Sequence, residues 1–100
     1  MIKIKVTKDN NLFKKLEVNG HAMYDDIGKD IVCASVSSIV ITSVNGILSL
    51  NEGSLSCESS NGSIKLDEIA NDNTTQTLIQ NMVNLLTELE EQYPTNIKVK

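Results

Sequence analysis

A chain of 100 residues with 40% hydrophobic side chains and a net charge of −4 has room for one core and no second. We therefore expect one domain over residues 1–100. Only three residues are aromatic, so the core must be aliphatic, and all nine basic residues are lysines. The acidic balance and the lack of arginine forks argue against a direct nucleic-acid partner.

Met1–Lys8 alternates, with Ile2, Ile4 and Val6 on one side and Lys3, Lys5 and Lys8 largely on the other. That period predicts a strand with one buried face. Asp9-Asn10-Asn11 is turn chemistry. Leu12–Val18 reads as a second strand that pairs with the first, although Phe13 and Val18 look out of phase with Leu12 and Leu16. Asn19-Gly20 breaks it, and Ala22–Lys29 reads as a loop.

Asp30 directly precedes an apolar run and reads as a helix N-cap. From Ile31 to about Leu50 the apolar residues recur at helical spacing, small residues fill most other positions, and no charge interrupts. A helix without a charged face is covered on nearly all sides. In so small a domain it is either central or packed against a second subunit. Six polar residues, from Ser35 to Asn45, break the run before it reaches the roughly 20 apolar residues of a bilayer span.

Ser54–Ser59 and Ser63–Leu66 read as strands joined at Ser60-Asn61-Gly62, where Asn-Gly signals a hairpin. A second helix starts at Thr74 or Thr75 and ends at Pro94. Its apolar stripe is Leu78, Met82, Leu85, Leu86, Leu89 and Tyr93. Ile97–Val99 is a last strand. The order ββαββαβ predicts an α+β fold, a mostly antiparallel sheet packed with two helices. MIKIKV does not read as a signal peptide. The expected setting is cytoplasmic, without a membrane partner, and there the two cysteines are expected as thiols.

The chemistry concentrates in GHAMYDDIGKDIVCASVS, Gly20 to Ser37. With Asp30 as N-cap, Cys33 falls in the first helical turn, where unsatisfied N–H groups favour a thiolate. His21 is the only histidine and the one candidate base for it. The plainer reading makes Cys33 a small core hydrophobe and His21 a polar cap. Ser37, four residues on, shares the helix face of Cys33 and either hydrogen-bonds there or lets the helix pack closely. Asp30 could orient His21, while its charge opposes a thiolate. Gly20 and Gly28 would let the intervening segment bend as a lid. Cys57 reads as an inert edge or packing thiol. His21, Cys33 and Cys57 lack the paired spacing of structural zinc, so no metal and no cofactor is expected.

The Gly20-His21-Ala22 element, then Gly28 and Asp30-Ile31-Val32-Cys33-Ala34 with Ser37, resembles the ribosomal-processing cysteine protease family Prp. The later SVNGI and EEQY segments are also similar. The resemblance implies a catalytic pair of Cys33 and His21 and a homodimer. It implies removal of the N-terminal extension of the twenty-seventh large-subunit ribosomal protein, cut after two phenylalanines. The competing classes are a non-catalytic ribosome-associated module and a redox or metal sensor built on Cys33.

Overall fold

A computed structural model describes residues 1–20, 27–60 and 62–100, and of residues 27–30 the backbone alone. The chain runs β1 (Ile2–Asp9), β2 (Leu12–Asn19), α1 (Ile27–Leu50), β3 (Ser56–Ser60), β4 (Ser63–Asp67), α2 (Asn73–Gln92) and β5 (Ile97–Val99). The strands form one sheet in the order β3-β4-β2-β1-β5, antiparallel except where β1 pairs with β5. The expected ββαββαβ order and α+β class are thus found.

Alternation decides which face is covered. Ile2, Ile4, Leu16, Val18, Ile64, Leu66 and Ile97 are all buried, and their registers put them on one face. Both helices lie over that face. The other face is polar. Lys5 stands beside Glu17, Glu17 beside Lys65 and Lys65 beside Glu58, a row of alternating charge across four strands.

Leu16 and Val18 are both on the buried face, so Val18 is in phase with Leu16 after all. Phe13 joins them because the β1–β2 register shifts between Thr7 and Lys8, leaving Lys14 as the extra residue of a bulge. Asn10 and Asn11 take φ of 54° and 65°, the left-handed pair that closes a two-residue hairpin.

The two helices run antiparallel. Ile31 and Ala34 of α1 border Leu89 and Gln92 of α2, while Thr42 and Gly46 border Leu78 and Asn81. Val32, Val36, Val40, Val44 and Ile47 make the buried stripe of α1, at the three- and four-residue spacing of one helix side. Ile31–Leu50 is, by length and hydropathy, apolar enough to cross a membrane. Here its stripe lies on the sheet. Within one chain α1 is not covered on nearly all sides, since Ile31, Ile41 and Leu50 are each more than half exposed, so of the two expected forms the central helix is not the one found.

In α2 the buried residues are Thr75, Ile79, Met82, Leu86 and Leu89. Leu85, expected in the core stripe, is turned to the outer groove between the helices. The helix starts at Asn73, earlier than expected, because Asp72 caps it. The Asp72 carboxylate accepts from the Thr75 N–H at 3.0 Å and from the Thr75 hydroxyl at 2.9 Å. These bonds hold its carboxyl below the usual range. The cap is complete above the unfolded-state pKa and is lost as pH falls through the lower folded value.

Gln76 ties three segments together. Its Oε1 accepts from the Phe13 N–H at 2.8 Å, and its Nε2 donates to the carbonyls of Phe13 at 3.0 Å and Ala70 at 2.9 Å. Gln76→Ala leaves these part-buried backbone groups without partners, so we expect a loss of about 1–3 kcal/mol in unfolding free energy. Urea titration checks this, and an unchanged midpoint would refute it.

Candidate active site

Cys33 sits on α1, 3% exposed, among the buried valines of the same helix. Because α1 begins at Ile27, Cys33 is its seventh residue and stands in the second turn. Asp30 is therefore not the N-cap; its backbone belongs to the first turn. The Asp30 signal misled because the residues before it carry no apolar stripe. The correction matters chemically. The field of a helix terminus falls off within the first turn, so a thiolate at Cys33 would gain little from it.

Gly28 also lies in the first turn of α1, which removes it as a hinge. At Gly20 the need for glycine is conformational and steric. Its φ is +82°, and a Cβ there would run into the Met1 carbonyl oxygen. Ser37 is half-buried on α1, one turn after Cys33 and on the same side. His21, Ala22 and the rest of the expected lid up to Asp26 lie outside the described residues.

The topology nevertheless fixes where the chain leaves the sheet toward residue 21. Asn19 pairs with Lys3 and with Ser63, and Ile2 pairs with Ile97. One end of the sheet thus gathers the starts of β1, β4 and β5 and the end of β2. The last turn of α2 runs into β5 at this end, where the Ile2 N–H donates to the Asn96 carbonyl at 2.8 Å. The first turns of α1 lie against that last turn of α2. Cys33 therefore sits at the end of the sheet from which the histidine-bearing segment departs.

Beside this lies a feature that sequence reasoning missed. A groove of about 320 Å³ separates α1 from the β3–β4 hairpin, lined by Val40, Ile41 and Val44 on one side and Cys57, Ser59 and Ile64 on the other. Its walls come from segments far apart in the chain, so no local signal marks it. Partial burial pushes the Cys57 thiol pKa up, which keeps it protonated at neutral pH.

A thiol and a histidine brought within hydrogen-bond reach of each other perform the chemistry of a thiol hydrolase. The family model described as cysteine protease Prp matches residues 1–98. This chain belongs to the cysteine protease Prp family and is a peptidase. The ribosomal processing cysteine protease Prp of Staphylococcus aureus is 29% identical over 103 residues, covering 99% of this chain and 97% of that one. Two crystal structures of the essential S. aureus protease superpose closely. The complex with a substrate peptide has a TM-score of 0.91 at 27% identity, over 100% of this chain and 98% of the other. The complex with a covalently linked product peptide has a TM-score of 0.86 at 28% identity, with the same coverage.

Proposed function

We propose that this chain is an endopeptidase that removes the N-terminal extension of a ribosomal protein, with Cys33 as nucleophile and His21 as base and acid. The substrate we assign is the twenty-seventh large-subunit protein, cut after a Phe-Phe pair, in the cytoplasm. The reading is carried by the family match, which covers residues 1–98 and so includes both Cys33 and His21. The S. aureus relative, which binds a substrate peptide and holds a covalently linked product, supports it.

The chemistry follows from the groups. His21 takes the thiol proton, and the Cys33 Sγ attacks the scissile carbonyl carbon. The tetrahedral intermediate collapses as the imidazolium gives its proton to the departing amine, leaving a thioester on Cys33. Water then attacks the thioester with His21 as base, and the thiol returns. Since Cys33 is in the second turn of α1, the ion pair with the imidazolium carries the activation that a first-turn position would have shared.

Incubating the protein with a peptide that carries the Phe-Phe sequence, with and without a chelator, tests the reading by mass spectrometry. Cleavage between the second Phe and the next residue, unaffected by chelator, is the expected result. No cleavage, or cleavage that the chelator stops, would favour the module or metal-sensor reading.

The protein acts as a homodimer in this proposal. Ile31, 53% exposed, and Leu85, 39% exposed, border the same outer groove between α1 and α2, and a second subunit would cover them. Sedimentation at micromolar concentration should give twice the 11.0 kDa chain mass. A species of the chain mass alone would contradict it.

A further inference from the structure

We propose that the groove between α1 and the edge strand β3 is the binding track for the substrate, taking an extended peptide as an added strand on β3. This rests on the proteolytic reading above.

Three observations converge. First, the side of α1 that borders the groove is the side that carries the cysteine. Cys33, Ser37, Val40 and Val44 recur at i, i+4, i+7 and i+11, one continuous stripe, and its last two members line the groove. The seven residues from Cys33 to Val40 span about 10 Å along the axis. An extended chain covers that in about three residues at about 3.3 Å each. The groove thus begins about three residues from the bond held at Cys33.

Second, among the described residues β3 is the outermost strand and pairs on one side only. Ser60 and Ser63 face each other across a two-residue turn. The pair that closes such a turn exchanges both main-chain hydrogen bonds, and bonding alternates from there. Ser60 and Glu58 are then bonded to β4, while the main-chain groups of Cys57 and Ser59 point to the open edge. An extended peptide finds its partners there.

Third, the side chains of Cys57 and Ser59 lie on the helix-covered face, opposite the buried Leu66 and Ile64. No described residue that lines the groove is charged. The track therefore fits a peptide whose groove-facing side chains are apolar, one on every second residue.

The Cys33→Ala protein leaves Cys57 as its single thiol, because the chain has two cysteines. Labelling that thiol with a maleimide, with and without the extension peptide at a concentration shown by anisotropy to saturate, reads occupancy directly. The expected result is labelling slowed about tenfold by the peptide. Two variants check the mode of binding. Ser59→Pro removes an edge-facing N–H without touching the ladder to β4, and should raise KM about 2- to 10-fold. Ile41→Lys, at a half-exposed position that tolerates the change, should raise KM at least about tenfold. Peptide bound with Cys57 labelled at the free rate, or both KM values unchanged, overturns the track. Protection that instead grows with protein concentration in the absence of peptide assigns the groove to a second copy, and also overturns it. Failure of the peptide to bind at all overturns the substrate reading on which the track depends.

Discussion

Cys33→Ala is expected to reduce cleavage by about 10⁶-fold, into assay background, because removal of a nucleophile from a catalytic unit costs about as much as removal of the whole unit. Cys33 is also a core residue, 3% exposed between the buried Val32 and Val36. Loss of activity in the alanine protein alone would therefore leave packing as a rival explanation. Cys33→Ser separates the two, since serine keeps the shape and a hydroxyl fills nearly the same space. If Cys33 only packs, the serine protein stays active. In our account it folds, as judged by circular dichroism and its melting temperature, and cleaves at background.

The second large effect is at His21. His21→Ala should lower kcat/KM by about 10²–10⁴-fold, the range for loss of a positioned general acid and base. The loss should be larger if thiol and imidazole act as a unit. The pH profile discriminates further. In the parent protein the acid limb should report the thiol–imidazole pair as one coupled unit. In the alanine protein the residual rate should instead climb with pH as the unassisted thiol ionises. A residual rate with the parental profile would mean that His21 is not the partner of Cys33.

Much of the fold can be read from the residues because local signals and burial agree. In β1 the alternation of Ile2, Ile4 and Val6 with lysines states both the strand and its face, and Asn10-Asn11 supplies the turn. Phe13 could not be placed in the same way. Its burial depends on a bulge, which is a relation between two strands. The α1 start was missed because Asp30 is a good capping residue by type, whereas Ile27-Gly28-Lys29 offers no apolar periodicity. In α2, Leu78 and Leu85 share a helix side, and so do Ile79, Met82 and Leu86; only the position of α1 decides which side is core.

The candidate site divides in the same way. The motif made Cys33 visible, since a contiguous Asp-Ile-Val-Cys-Ala run is informative by itself. What the run could not convey is that the thiol sits a full turn deeper in the helix than a capping Asp30 implies. The groove was invisible for another reason. Val40, Ile41 and Val44 read as ordinary core positions, and Ser-Cys-Glu-Ser-Ser reads as a weak polar strand. Only the pairing of β3 at the sheet edge, with α1 alongside, makes these two segments the walls of one site.

The central claim is that Cys33 carries the acyl group during cleavage. Quenching a reaction in acid during the first turnovers, then mapping the protein by mass spectrometry, tests it most directly. The account predicts that the peptide containing Cys33 gains the mass of the released N-terminal fragment less one water, that hydroxylamine removes the adduct, and that Cys57 stays unmodified. An acyl group found on Cys57, or full cleavage by the Cys33→Ala protein, would contradict it.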